Sequence, residues 1–595
     1  MNKKIGLSFL GCTTLFTPFF TIACNLASQR NTIIVQLAQG EFWPLAFGLK
    51  PLTEYYNNNF KDQQDFVKVE LQFKDKTRTD DEFKLIKKVK DYIITGDFNN
   101  LPNIVVGSQS GAYVLKQTNN LLDLSGSVIK KDLFSKKIAN LHSTLAGQGE
   151  KTETLFNIPF DNSDLDSLNF NYQLLNKMFD LIKKNGGTIN ESANIVKSVE
   201  QAAKKANEGN KDYTKIPENS VWNWIKAKNK TVFKDIRNVD DSTFESIQSI
   251  RDLAKKFTQG LEIDNPKITT EIISGNVFSI DYFYDTFYKE LDSRIDKDKV
   301  IFKLNSKNNV DYNLVTDSSV EKETKNLWDD YTINVKQRIE QETKKGAVSK
   351  KVVFQSIKYT DRDNDWGAHE IRRFQSAISL TPSVGSSQNK ITNWVANPDD
   401  RKDAKSGDVA MKPQLLLSKS KGQKIFSEGG SSILPIDSKN SRLNQGTIKF
   451  LEWLYTGKNK LDQQNEEENW ITLAKNSGYI MPLAKVVNDK KGLNKLEERY
   501  KNLQNKLNAQ TDKTKSNEYI TLNLLESAIL SLKSILDFET NGEIIAKPTV
   551  QDDKTAEIRE LLKNELQNST KIDSPTTAMT SDELIKRIKK IVKQH

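Results

Sequence analysis

The chain has 595 residues, 36% hydrophobic and 9% aromatic, which is enough for several domains or one large two-lobed unit with real cores. Its two cysteines, Cys12 and Cys24, both fall within the first 24 residues, so the body has no disulfide framework, and three scattered histidines (His142, His369, His595) exclude a His/Cys zinc cluster. The net charge of +10 is dispersed among 88 basic and 78 acidic residues, which reads as a solvated surface and gives no expectation of a stable nucleic-acid partner.

Lys3 and Lys4 precede an apolar run from Ile5 to Phe20 that ends at Thr21-Ile22-Ala23-Cys24. A short positive region, an apolar core and a small residue before the break make a secretory signal, too short for a standard membrane span. The segment resembles a bacterial lipoprotein signal, with Ile22 and Ala23 in the usual pattern and Thr21 where Leu is common. The resemblance implies a signal peptide over 1–23, lipidation at Cys24 and a tether over 24–32. The body would then sit on the extracellular face of the cell membrane, lipid-anchored, with the bilayer as a partner. An uncleaved signal anchor and lipidation at Cys12 are the alternative readings of the same run.

Ile33 to Leu37 is a short apolar strand closed by Gly40, and Leu45 to Tyr56 has helical spacing. Val67 to Phe73 alternates as a half-buried strand. Asp80 to Thr95 is amphipathic and stops at Gly96, a residue suited to a helix terminus. Leu101 to Gly107 reads as a buried strand, so strands alternate with helices as in an α/β layer with parallel pairing. Phe156 to Phe160 is a strand, Asn171 to Lys183 a helix, and 186–220 a polar helix with a loop. A stripe from Phe244 to Phe257 is helical. Residues 305–350 and 386–412 are polar and read as surface insertions. Helices follow over Ile448–Tyr455, Leu493–Leu507, Leu522–Phe538, Ala556–Leu566 and Ser581–Val592, the last with Thr580 and Glu583 at capping-box spacing.

Several segments in this order resemble the extracellular solute-binding proteins (family 1) of ABC importers. They are Ile94-Thr95-Gly96 with Leu101 to Val106, Gln117 to Leu124, Leu155 to Phe160, and Phe170 to Leu175. Gly275 to Ile280, Gly429 to Ile436 and Gly478 to Pro482 continue the series. The combination with the N-terminal segment is also similar to the surface lipoproteins of mycoplasmas. The resemblance implies an α/β, two-lobed periplasmic-binding-protein-like fold (type II) with a hinge, polar insertions and a helical C-terminal region. It places lobe 1 at 33–157, lobe 2 at 158–267, a return to lobe 1 over 268–442 and the completion of lobe 2 over 443–595. It implies capture of a small solute (sugar, oligosaccharide or glycerol-phosphate-like) and an ABC permease as partner.

Ligands in open α/β sheets sit outside the carboxyl ends of strands. On the expected strands that rule selects Trp43, Gln109, Asn162, Asp281, Tyr282, Gly430 and Ser431 as ligand-binding candidates. An aromatic face suits a sugar ring, and carboxylates or amides suit paired hydroxyls. Five have a plainer reading: Trp43 and Tyr282 as core, Gln109 and Asn162 as turn formers, Gly430 as a backbone requirement. Trp366, after Asp361–Asp365, reads as a surface turn, and Glu466–Glu468 as solvated charge. No Gly-x-Ser-x-Gly elbow, HExxH, P-loop or dinucleotide glycine pattern occurs, so no enzyme, metal or cofactor is expected. A surface adhesin or antigen on the same fold, or a nucleic-acid-capturing surface protein, is the competing reading.

Overall fold

The computed structural model describes residues 30–149, 151–161, 166–264, 271–342, 349–361, 366–395, 402–413, 424–426, 429–462, 465–547, 549–572 and 578–593. Cys24 and Asn162 lie outside them.

The chain begins with β1 (Thr32–Leu37), α1 (Pro44–Asn59), β2 (Lys68–Gln72), α2 (Glu82–Thr95), β3 (Ile104–Gly107), α3 (Gly111–Lys116), α4 (Lys136–Leu145) and β4 (Ile158–Pro159). Asp81 accepts from the Lys84 N–H and starts α2, while Gly96, at φ +70°, ends it. β1 pairs in parallel with β2 and β3. Both faces of the sheet are covered at its centre, which is why β3 is wholly buried and β1 mostly so, while β2 at the edge alternates Lys68, Glu70 and Gln72 with Val69 and Leu71. Ile104 and Val106 enter one core with Leu45, Leu49 and Leu52 of α1, and Val105 enters the other with Ile86 and Val89 of α2.

A second sheet follows. Its elements are β5 (Asp166–Asn171), α5 (Tyr172–Lys184), α6 (Asn194–Asn207), α7 (Ile247–Gln259), β6 (Gly275–Asp281), α8 (Phe283–Arg294), α9 (Ser318–Thr332), β7 (Lys336–Glu342), β8 (Ser349–Thr360), α10 (Gly367–Arg372), β9 (Ser376–Pro382) and β10 (Val409–Lys412). The strand order is β7-β8-β6-β9-β5-β10. β6 runs parallel to β8 and β9, and β5 antiparallel to β9.

The chain then passes through β11 (Ile425–Phe426) into β12 (Ser432–Pro435), α11 (Ser441–Thr456), α12 (Asn469–Ser477), α13 (Lys491–Asn508) and α14 (Asn517–Thr540). β12 lies antiparallel between β3 and β4, so the first sheet reads β2-β1-β3-β12-β4. β13 (Ile545–Ala546) leads back to α15 (Asp553–Thr570) and α16 (Ser581–Lys593), whose Ile558, Leu562, Leu584 and Ile588 join the second core. Among the described residues α14 alone is long and apolar enough to cross a membrane; its Leu525, Ala528, Leu532 and Ile535 are instead buried in the first lobe.

The architecture is two α/β lobes joined by three crossovers, in the two-lobed form expected. Where the chain changes lobe differs. The return to lobe 1 does not occur at 268: β6, β8 and β9 are hydrogen-bonded into the sheet that holds β5, and the return comes with β12. Residues 443–540 accordingly complete lobe 1, and only α15 and α16 complete lobe 2. The stretch 305–350 is not simply a surface insertion, because Val320, Leu327, Trp328 and Tyr331 of α9 are buried in the second core. Likewise β10, in 386–412, forms an edge of the second sheet. Glu467 is buried rather than solvated, held by Lys475 and Arg499 at 2.8 Å each.

Candidate functional site between the lobes

Register fixes which sheet edges face the junction. Ser432, just after the second crossover, pairs with Gly107, the last residue of β3. Asp166, just after the first, pairs with Pro382, the last residue of β9. Both crossovers therefore join the carboxyl ends of parallel strands, the edge where open α/β sheets place ligands.

The crossovers meet in a hinge. β11 and β13 pair in parallel, Ile425 with Ile545 and Phe426 with Ala546. Ile425 is buried in the core of lobe 2 and Phe426 in that of lobe 1, where its ring stacks on Phe538 with centroids 4.1 Å apart. Lys547 donates to the carbonyls of Asp292 and Asp296 in lobe 2, at 2.9 and 2.8 Å.

Gln109, Gly430 and Ser431 gather at this hinge. Gln109 donates to the Gly429 carbonyl at 3.4 Å. Asp161, in the first crossover, accepts from the Ser431 N–H, and the Ser431 hydroxyl donates to Glu82. Gly430 has φ +91°, and a Cβ there would lie 1.9 Å from the Asp161 carbonyl oxygen, so only glycine fits. After β3, the Ser108 hydroxyl bonds Gln551 at 2.7 Å and the Gln551 N–H donates to Ser110 at 3.1 Å, tying in the third crossover.

The other candidates stand on the lobes. Trp43 caps the start of α1, is 36% exposed, and has the Lys74 ammonium 5.0 Å from its ring centre. Neighbouring Phe42 is 75% exposed. In lobe 2, Tyr282 takes a left-handed backbone (φ 46°) at the start of α8, and its ring lies 5.3 Å from that of Trp366, at the start of α10. Trp366, expected as a surface turn, is thus half of a partly buried aromatic pair at the carboxyl ends of β6 and β8. Asp281 is directed elsewhere: its buried carboxylate accepts from the Thr360 hydroxyl and, at 2.8 Å, from the Gly367 N–H, fixing α10. Burial pushes that carboxyl well above the usual carboxylate range.

The segment after β9 crosses to lobe 1, a contact the sequence reading missed. Trp394 meets Phe47 of α1 edge-on at 5.5 Å, and Ser383 bonds Ser531 of α14 at 2.5 Å. Asn393 reaches the Thr514 carbonyl and Asn517, both at 3.1 Å. On this face of lobe 1 the sequence reading selected Trp43 alone, because Trp394 falls in the stretch 386–412 that reads as a surface insertion. Among the described residues no group of three or more His, Cys, Asp or Glu is placed to hold a metal ion. Aromatic faces and hydrogen-bonding groups around a junction can hold a small solute.

These features define a two-lobed, hinged α/β fold of the periplasmic-binding-protein kind. No protein-family model and no curated protein matches the chain. Solved structures that align with it include several described as solute-binding proteins. One is the ABC transporter associated binding protein of B. animalis subsp. lactis in complex with beta-1,6-galactobiose: 14% identity, 94% of this chain and 96% of that one, TM-score 0.49. A Streptococcus pneumoniae solute-binding protein in complex with the blood group A-trisaccharide is 10% identical over 94% and 99% of the chains, TM-score 0.47. The Agrobacterium radiobacter ABC transporter solute-binding protein in complex with ribitol is 13% identical over 94% and 98%, TM-score 0.47.

Proposed function

We propose that the chain captures a small sugar-like solute between its lobes, for delivery to an ABC-type importer, while held at the cell membrane through lipidated Cys24. The observation that carries this reading is the hinge. Three crossovers converge at the carboxyl ends of both sheets, with Trp43 on one lobe and Tyr282–Trp366 on the other. Hinged lobes close around ligands, and aromatic faces suit sugar rings.

The test is thermal unfolding of the chain from residue 25 onward against sugars, oligosaccharides, sugar alcohols and glycerol phosphates. A ligand of the folded state raises the melting temperature by linkage, about 2.7 kcal/mol at a hundredfold excess over Kd. Small-angle scattering of the liganded protein should show a more compact particle. If no solute shifts the melt while host-cell surfaces bind tightly, the surface-adhesin reading replaces this one. For the anchor, label from a fatty-acid analogue should be lost in Cys24→Ser; retained label refutes lipidation at that residue.

A further inference from the structure

A cavity of about 340 Å³ lies where α13 and α14 of lobe 1 meet lobe 2. That volume is at the lower end of the roughly 300–1,000 Å³ of small-molecule sites. None of Trp43, Tyr282 or Trp366 lines it.

Its walls come from both lobes. Lobe 2 supplies Lys205 and Tyr213, at and just beyond the end of α6, and lobe 1 supplies Tyr500, Tyr519 and Asn523. The Tyr213 ring is pressed over Gly407, where an added Cβ would meet it at 2.4 Å, so this aromatic wall is fixed by a glycine. Two ion pairs cross the junction beside it: Lys390 with Glu526 at 2.7 Å, and Lys513 with Asp212 at 3.1 Å. These neutralise each other. Lys205 makes no ion pair among the described residues; its ammonium lies 5.5 Å from the Tyr213 ring centre, leaving the lining one positive charge in excess.

One buried donor completes the argument. Asn523 is 2% exposed, and its side-chain Nδ2 has no acceptor. An unsatisfied buried amide costs stability unless something bonds to it. What the site lacks is therefore an acceptor and a negative charge, beside tyrosine faces that suit the C–H side of a sugar ring. We propose that this cavity is a second binding site, for a small hydroxylated anion: a hexose carrying one carboxylate or phosphate. Bound there, it would touch both lobes and hold them together. The proposal stands whether or not the cleft reading does.

Calorimetric titration of the chain from residue 25 onward tests it, with glucuronate and glucose 6-phosphate as probes and glucose and inorganic phosphate as controls. We expect saturable binding of an acidic sugar, weakened about tenfold or more in K205Q and in N523L, as for loss of a charge-assisted or buried hydrogen bond. The half-buried position of Lys205 and the missing partner of Asn523 Nδ2 mean that both variants should melt at or above the parent temperature. The double variant W43A/W366A should bind the acidic sugar unchanged. The proposal is overturned if neither acidic sugar binds, or if K205Q and N523L bind it as the parent does. It is also overturned if W43A/W366A abolishes the binding, or if glucose or phosphate alone binds equally well.

Discussion

Gly430→Ala probes the hinge directly. At φ +91° an alanine is strained, and its Cβ would fall 1.9 Å from the Asp161 carbonyl oxygen and 2.7 Å from Oδ1. Real Cβ atoms essentially never come within 3.0 Å of a neighbour, so the two crossovers must separate by about 1 Å, the difference between 3.0 and 1.9 Å. That movement pulls on the bond from the Ser431 N–H to Asp161. Forced residence in such a backbone region costs of order 1–3 kcal/mol. For units of this size, 1 kcal/mol corresponds to roughly 2–4 °C, so the melting temperature should fall by roughly 2–12 °C. Gly542→Ala is the control: nothing lies within 4 Å of its added Cβ, and its effect should stay within about 0.5 kcal/mol. Scanning calorimetry of both variants, with titration of any solute found by the screen, reads the outcome. If Gly430→Ala melts and binds like Gly542→Ala, the crossovers are not packed as a joint and the hinge argument fails.

Trp43→Ala should weaken solute binding by about 0.5–1.5 kcal/mol, the value of an aromatic contact, with little change in melting because the side chain is 36% exposed; unchanged affinity would remove Trp43 from the site. Arg251 and Glu290 are both fully buried and paired at 2.8 Å, with Arg294 on the same carboxylate at 2.9 Å. Arg251→Met should cost about 3–5 kcal/mol in denaturant unfolding by leaving a buried charge half-compensated, and a loss below about 1 kcal/mol would contradict that. Burial pushes the Asp408 carboxyl up to about 6, although it accepts from the N–H groups of Lys405 and Thr214 and from Gln173. A folded value above the unfolded 3.8 means the folded state holds the extra proton, so this group's contribution is greatest below pH 3.8 and falls as pH rises to about 6. Asp408→Asn should therefore gain on the parent by up to about 3 kcal/mol across that window, and a pH-independent difference would refute the assignment.

What the sequence disclosed was local. The alternation of Val67, Val69 and Leu71, the stop at Gly96 and the stripe Phe244 to Phe257 are all set by neighbours within a few residues, and each became an element, although Leu71 is only half-buried and Phe244 falls in a 3-10 turn before the helix that starts at Ile247. Lobe membership is not local. Val277, Phe278 and Ile280 would read the same in either sheet; pairing with β8 and β9 decides it. Polar composition concealed α9, whose stripe Val320, Leu327, Trp328 and Tyr331 is spaced among acids and lysines. At the site, Trp43 and Tyr282 could be named from strand ends, whereas Trp366 as the partner of Tyr282 depends on where β8 ends against β6.

The hinge shows why distance in sequence hides function. Asp161 merely follows the Phe156–Phe160 strand and Gly430 reads as a backbone requirement, and their contact joins positions from two different crossovers. Ile425 and Phe426 are only two consecutive apolar residues in the sequence. Because successive side chains in a strand point oppositely, one enters the core of lobe 2 and the other that of lobe 1. Their partners follow the same division, Ile545 packing against the second core and Ala546 against the first. Any rotation of the lobes must therefore twist a two-residue ribbon whose side chains are held on both sides. Motion at the joint is then governed by packing around Phe426 and Phe538 as well as by the freedom of the connecting backbone.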